Sequence, residues 1–106
     1  MERGFRAEAA GLIGEVYLLN IDLGVLPTPC YIIDEDLLIK NLEILQSVQA
    51  RTGCSILLAQ KGFSMYAVYP LIGRYLKGVA SSSLFEARLG YEEMGKEVHV
   101  FASLNE

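Results

Sequence analysis

The chain has 106 residues, of which 52% are hydrophobic and 21% are charged, and its net charge at pH 7 is −4. This composition is typical of a globular protein rather than a disordered one, and the length suffices for one small domain with its own core. The pI near 5.0 and the lack of a basic cluster argue against a nucleic-acid-binding protein.

The two cysteines, Cys30 and Cys54, belong to no CxxC motif and to no Cys/His ligand cluster. We therefore predict no metal site, and a reducing cytoplasm fits better than an oxidising compartment. Glu8, Glu15 and Asp22 interrupt the apolar residues near the N-terminus, so we expect no membrane-spanning segment and no export signal there.

The first quarter of the chain is the least informative part. Residues 1–26 are interpreted as an N-terminal extension of unknown role, with a helix over Ala7–Asn20. Leu26–Pro29 is predicted to be extended, because each proline also restricts the residue before it. Cys30–Ile33 reads as a short strand, and Asp34 can cap the helix that follows, with two acidic residues in its first turn.

Apolar residues at helical spacing predict that this helix packs on a core and that Gly53 ends it. The apolar stripe consists of Leu38, Leu42, Leu45 and Val48. The next apolar run, Ser55–Ala59, is typical of a strand buried on both faces. It leads through Gln60 to Lys61 and a glycine.

Lys61 is therefore predicted at the carboxyl end of a strand, where α/β proteins place their ligands. An ammonium at the rim of an apolar interior is partly desolvated, which favours the neutral, nucleophilic amine used in Schiff-base chemistry. The competing interpretation is that Lys61 is simply the first solvated residue of a loop.

Turn and capping signals predict the remaining elements. A helix is predicted over Ser64–Leu76, where Pro70 either kinks it or marks its first turn and Gly78 ends it. A strand Val79–Ser82 follows, and Ser83 with Glu86 forms a capping box for a helix Leu84–Met94 that Gly95 ends. The last predicted element is a strand Val98–Ala102. Strands that alternate with helices indicate parallel βα units with right-handed crossovers. The fold class is α/β, and the chain resembles the opening of a larger domain.

Several separated motifs carry a family resemblance. They are Thr28–Asp34, Asn41-Leu42, Ala59–Met65 and Ala80–Gly90. In order and spacing they closely resemble the N-terminal part of carboxynorspermidine (carboxyspermidine) decarboxylase, a pyridoxal-phosphate enzyme with an alanine-racemase-like barrel. The resemblance covers about Leu26 to Phe101.

This resemblance implies a partial (β/α)8 TIM barrel with its first three strands, formed by residues 27–106 and incomplete. It also implies that Thr28–Asp34 is a strand that belongs to a second, β-rich domain. The implied function is decarboxylation of a polyamine precursor by a cytoplasmic homodimer, without nucleic acid or membrane partners. Lys61 would be the catalytic lysine that binds pyridoxal phosphate as a Schiff base.

The resemblance further places Ser82 and His99 beside the cofactor. His99 is otherwise interpreted as a hydrogen-bonded strand histidine. Ser83 and Glu86 are explained by helix capping, and Arg88 by a surface ion pair.

The sequence departs from the family pattern at Gln60, where an aliphatic or small residue is expected before the lysine. We expect the 106-residue chain to be inactive alone. Two other hypotheses stay open: a non-catalytic interaction or cofactor-carrying remnant, and a pyridoxal-phosphate homeostasis protein on the same barrel.

Overall fold

A computed structural model describes residues 3–9, 12–18 and 29–101 of the chain. The chain divides into two compact units, residues 1–41 and residues 42–106. In the described segments, no helix is long and apolar enough to cross a lipid bilayer.

The first unit contains a three-stranded antiparallel sheet. Its strands are β1 (Arg3–Ala9), β2 (Leu12–Leu18) and β3 (Tyr31–Asp34), in the order β2-β1-β3. The register pairs Arg6 with Glu15 on one side of β1 and with Ile33 on the other.

The helix predicted over Ala7–Asn20 is therefore wrong for the described part of that range, which forms strands. Alanine and glutamate favour helix locally, but Val16, Tyr17 and two glycines disfavour it. Pairing with β3, more than 20 residues away, decides in favour of strands. The extended entry predicted at Leu26–Pro29 lies mostly outside the described residues.

The strand predicted at Cys30–Ile33 is confirmed with a shift of one residue. Helix α1 (Glu35–Thr52) follows, with Glu35 and Asp36 in its first turn. Asp34 caps it as predicted, since Oδ1 of Asp34 accepts a hydrogen bond from the Leu37 amide at 3.3 Å. At the other end Gly53 adopts a φ of +76° and donates its amide hydrogen to Gln49 O, as a C′ glycine should.

The stripe predicted along α1 is confirmed in part. Leu42 is buried, Leu38 and Val48 are half-buried, and Leu45 is exposed. Gln49 takes the remaining buried position, which a hydrophobic pattern could not indicate.

The second unit contains a parallel three-stranded sheet in the order β4-β5-β6. Its strands are β4 (Leu57–Ala59), β5 (Gly78–Ser81) and β6 (Glu97–Val100). The predicted parallel βα order is thus confirmed for these strands. The strand predicted to extend to Ala102 stops at Val100 in the described part of the chain.

Two short helical segments join β4 to β5: a 3-10 turn over Tyr66–Val68 and helix α2 (Tyr69–Ile72). Pro70 lies in the first turn of α2, where its missing N–H costs nothing, as predicted. The prediction that Gly78 ends this helix is wrong, because α2 ends at Ile72 and Gly78 begins β5. A Cβ at Gly78 would overlap the backbone of Glu97, so this position requires glycine for close strand packing.

Helix α3 (Leu84–Glu93) packs against β5 and β6 and confirms the predicted helix there. Ser83 is its N-cap and accepts a hydrogen bond from the Glu86 amide at 3.1 Å. Gly95 follows its end with a φ of +71°. The core of this unit is apolar and consists of Leu42, Met65, Val68, Tyr69, Ile72, Leu76, Val79 and Met94.

Candidate active site

Lys61 lies two residues beyond the last residue of β4. It belongs to a tight turn in which the amides of Gly62 and Phe63 both donate to Ala59 O, at 3.0 and 3.2 Å. The predicted position of Lys61 at the carboxyl end of a parallel strand is therefore correct. The side chain is exposed, so the partial desolvation expected from the sequence is absent in this structure.

The carboxyl ends of β4, β5 and β6 meet at the same edge of the sheet, because the strands are parallel. A depression of about 170 Å³ opens at this edge. Its lining combines an amine, a carboxylate, hydroxyls and apolar groups from Ala59, Lys61, Ala80, Ser81, Ser82, Glu86 and Phe101. The edge therefore holds a possible nucleophile beside small and apolar side chains.

The two faces of the sheet differ. Val79 points towards α3, because a Cβ added at Gly90 would overlap its side chain. Strand alternation therefore directs Ala80 to the opposite face, in register with Ala59 and His99. Ala59 and His99 are exposed, which identifies this as the open face of the sheet.

Glu86 is more than a capping residue. Its Oε1 accepts hydrogen bonds from the backbone N–H of Ser82 at 2.8 Å and from the Ser82 hydroxyl at 2.9 Å. In the capping box predicted from the sequence, the carboxylate would instead reach back to the amide of Ser83. The prediction that Glu86 closes a capping box with Ser83 is thus wrong, because its carboxylate binds Ser82 instead.

These contacts keep Glu86 ionised. The backbone and side-chain hydrogen bonds from Ser82 lower the pKa of Glu86, and the positive charge of Lys61 lowers it further. A negative charge and the Lys61 amine therefore line the same depression at the edge of the sheet.

Ser82 lines the depression together with Lys61, as the sequence-based hypothesis requires. Its hydroxyl hydrogen is already donated to Glu86, so the Ser82 oxygen is left to act as an acceptor.

His99 lies on the open face but is not part of the lining of the depression. Its Nε2 lies 3.0 Å from Oε1 of Glu97, which can only accept, so Nε2 carries the hydrogen. The structure therefore brings Lys61 and Ser82 together and leaves His99 one residue before the edge.

Arg88 was predicted as a surface ion-pair residue. It pairs with Glu92 at 2.9 Å across one helical turn, and both side chains are more than half exposed. This hydrogen bond raises the pKa of Arg88. The pair is a solvated contact that adds little stability.

Gln60 is the residue whose importance the sequence did not reveal. Its side chain is 2% exposed. Nε2 donates to the Ser81 hydroxyl at 2.8 Å and to the backbone carbonyl of Glu86 at 2.7 Å. Oε1 accepts from the Tyr69 hydroxyl at 2.9 Å. The departure from an aliphatic residue was visible in the sequence, but its partners were not.

Tyr69 is fully buried, in agreement with a packing role. Burial raises its pKa from 10.0 to about 12, and the negative charge of Glu86 contributes. The hydroxyl therefore stays protonated at neutral pH and acts as a hydrogen-bond donor to Gln60.

A larger depression of about 740 Å³ opens at the opposite, amino edge of the sheet, where Ser55, Lys77 and Lys96 precede the three strands. We assign the chemistry to the smaller depression, because ligands in parallel α/β sheets bind at the carboxyl ends of the strands. The smaller depression also contains the adjacent amine and carboxylate.

No family model matches the chain. Several curated proteins do resemble it, including three decarboxylases. The chain is 45% identical over 85 residues to carboxyaminopropylagmatine decarboxylase from Synechocystis. The matched segment covers 80% of this chain and 22% of the relative. It is 38% and 45% identical to carboxynorspermidine/carboxyspermidine decarboxylases from Herminiimonas arsenicoxydans and Campylobacter jejuni, over 74% and 71% of this chain.

A solved structure of carboxynorspermidine decarboxylase in complex with norspermidine, from Campylobacter jejuni, superposes with a TM-score of 0.63 at 40% sequence identity. The match covers 67% of this chain and 20% of that one. The resemblance inferred from the sequence is therefore confirmed. The chain spans about a fifth of the length of these relatives.

Proposed function

We propose that this chain carries the cofactor-binding lysine of a polyamine-biosynthesis decarboxylase. The premise is the similarity of the chain to the carboxynorspermidine/carboxyspermidine decarboxylases. The observation that supports this most is the position of Lys61. It lies just after β4, at the edge where two parallel neighbouring strands also end and beside an ionised carboxylate.

The residues at this edge fit the aldehyde end of pyridoxal phosphate. Lys61 offers an exposed primary amine that can bind the aldehyde carbon covalently. Ala59 and Ala80 leave room above the open face, and Phe101 offers an apolar wall. When bound, the cofactor supplies the electron sink for loss of carbon dioxide.

The chain's own residues would do three things there. Lys61 holds the cofactor, and Glu86 balances the charge of the Lys61 ammonium when no cofactor is bound. The Ser82 oxygen can accept a hydrogen bond from a bound group, since its hydrogen is donated to Glu86. His99 would approach the cofactor from the open face of β6.

The proposed substrates share one chemistry, a carboxylate carried on an amine-rich chain. Carboxynorspermidine and carboxyspermidine are the first choice, because two relatives and the solved structure share that description. Carboxyaminopropylagmatine is the alternative, favoured by the longer match to the Synechocystis relative. The reaction would be the same for all three.

The larger architecture is also a proposal. The parallel order β4-β5-β6, with α3 on one face, supports residues 27–106 as the opening part of a (β/α)8 barrel. The pairing of β3 with β1 supports its membership of a second, β-rich domain. The homodimer that the resemblance implies for the full-length family is part of the same proposal.

The test is a chimaera in which the aligned segment of the Campylobacter jejuni decarboxylase is replaced by the corresponding residues of this chain. Carbon dioxide release is measured for each of the three substrates, in the parent chimaera, in Lys61→Ala and in Lys77→Ala. We expect release that Lys61→Ala abolishes and Lys77→Ala preserves, because Lys77 lies at the amino edge of the sheet. Turnover that survives Lys61→Ala would refute the proposal.

The 106-residue chain alone is expected to show no turnover. Its depression of about 170 Å³ is smaller than the roughly 300–1,000 Å³ of small-molecule sites. Cofactor trapping at Lys61 without decarboxylation in the chimaera would favour a homeostasis protein. Co-purification with a full-length relative, without trapping, would favour a non-catalytic remnant.

A further inference from the structure

The buried amide of Gln60 connects the site to three neighbouring elements of the second unit. Its partners are Tyr69 on α2, Ser81 on β5 and the backbone carbonyl of Glu86 on α3. Both amide hydrogens and the amide oxygen are therefore satisfied. Such a side chain has one orientation, because any rotation leaves buried polar atoms without partners.

The orientation of this amide follows from its partners. The atom 2.7 Å from the Glu86 carbonyl must be a donor, because a carbonyl can only accept. That atom is Nε2, so Oε1 faces the Tyr69 hydroxyl. Because the pKa of that hydroxyl is raised, it keeps its proton at neutral pH and can donate this bond.

Gln60 also fixes the main chain next to Lys61. Its own amide donates to Ala80 O at 3.1 Å, which extends the pairing of β4 with β5 by one residue. Gln60 and Lys61 are the two central residues of the turn that Gly62 closes onto Ala59 O. The side chain of Lys61 itself is exposed, so its direction depends on this turn.

We propose that Gln60 is a positioning residue: its buried hydrogen bonds hold the turn after β4 and thereby aim the Lys61 amine into the depression at the carboxyl edge. This inference rests on the proposed function, in which that amine binds an aldehyde. A residue that merely filled the core would need no polar atoms, as the equally buried Val68, Ile72 and Val79 of the same unit show.

The chain offers a matched control. Gln49 is a second buried glutamine in the same unit, and it also satisfies its amide with two bonds at 2.8 Å. Its partners, Ile56 N–H and Tyr75 O, precede β4 and β5, so Gln49 acts at the opposite edge of the sheet. Gln60→Met and Gln49→Met therefore remove equivalent side chains from the two ends.

The first measurement follows the turn itself by backbone amide hydrogen exchange in the full chain. We expect Gln60→Met to accelerate exchange at Gly62 and Phe63, whose amides close the turn, and to leave Ile56 unchanged. Gln49→Met should do the reverse. Unchanged exchange at Gly62 and Phe63 in Gln60→Met would overturn the inference, whatever the function of the chain.

The second measurement tests the direction of the amine. The full chain is treated with limiting pyridoxal phosphate; each lysine amine condenses with the aldehyde and loses water, and borohydride reduces the adduct to a stable secondary amine. Peptide mass spectrometry then gives the ratio of labelling at Lys61 to that at Lys77 and Lys96. Gln60→Met should lower this ratio roughly tenfold, and Gln49→Met should preserve it.

The outcomes separate the two proposals. Equal labelling of the three lysines in the unsubstituted chain would contradict the proposed function, while the exchange data still decide the role of Gln60. Preferred labelling of Lys61 that survives Gln60→Met would contradict the positioning role alone. If Gln60→Met fails to fold, Tyr69→Phe removes one donor from the same amide and should give the same changes at smaller size.

Discussion

The two edges of the parallel sheet in the second unit are each tied by one buried glutamine, yet they differ in what the glutamine binds. At the amino edge Gln49 bonds two backbone groups, Ile56 N–H and Tyr75 O. At the carboxyl edge Gln60 bonds the hydroxyls of Tyr69 and Ser81 and one carbonyl. The first connects loops, whereas the second connects side chains next to the turn that carries Lys61.

Under the proposed function, the larger depression of the sheet is not the one where the chemistry takes place. The amino edge has the larger depression, about 740 Å³ against about 170 Å³. The carboxyl edge has an amine beside a carboxylate that Ser82 keeps ionised. A polar network that fixes one geometry is expected beside a reacting group, because misplacement there costs rate.

The largest effect should come from the tight strand contact at the amino edge. In Gly78→Ala the new Cβ would overlap the Glu97 backbone, so β5 and β6 must separate. We expect a loss of about 3 kcal/mol or more in the free energy of unfolding. Urea denaturation measures it, with Gly62→Ala as the control, since a Cβ there meets only Ala59 O at 3.7 Å. Equal stability of the two variants would contradict this account.

The next effect compares the glutamines directly. Gln60→Met removes the hydrogen-bond partner of two buried hydroxyls and one part-buried carbonyl, and should lower the free energy of unfolding by about 2–3 kcal/mol. Gln49→Met leaves two partly buried backbone groups and should cost about 1–2 kcal/mol. Both are measured by urea denaturation at pH 7. A larger loss in Gln49→Met would show that the amino edge is the more dependent on its glutamine.

A third prediction uses alkaline pH to weaken the carboxyl edge, and Tyr69→Phe separates this effect from that of the other groups that titrate at high pH. The pKa of Tyr69 is about 12 in the folded chain and 10.0 when unfolded. Its stabilising contribution is therefore complete below pH 10 and is lost as the pH rises towards 12, by roughly 2 kcal/mol. The difference in stability between the parent chain and Tyr69→Phe should shrink over this range. A constant difference from pH 9 to pH 12 would count against it.

The smallest effect concerns the start of α3. Ser83→Ala removes the acceptor of the Glu86 amide and should cost about 1 kcal/mol. Ser64→Ala, at an exposed position outside any helix, is the control and should change stability little. Thermal denaturation compares the two variants. A similar melting temperature for both would show that the cap adds nothing here.

Local signals in the sequence identified much of the second unit. Ser83 and Gly95 marked the limits of α3, Pro70 marked the first turn of α2, and the run before Gln60 marked β4. Such signals work because capping, backbone restriction and apolar runs act within a few residues. The same rules placed Lys61 correctly at a strand end.

Local signals failed at two places, once through a distant contact and once through the choice between two neighbouring partners. Residues from Ala7 onwards read as helix, but β1 pairs with β3 more than 20 residues away. Glu86 read as a complete capping box, but its carboxylate binds Ser82 instead of Ser83. In the first case local propensity was compatible with two structures, and a contact with a distant strand selected one. In the second case the partner is still local, four residues from Glu86 and one position before the predicted Ser83.

For residues 29–101 the sequence by itself determined the alternating order of strands and helices, the ends of α1 and α3, and the lysine just after β4, since these follow from neighbours along the chain. Only the tertiary structure decided that Gln60 is a buried connector, because its partners lie 9, 21 and 26 residues away. A polar side chain next to a strand end can be solvated or buried, and the difference depends on which donors and acceptors folding brings to it.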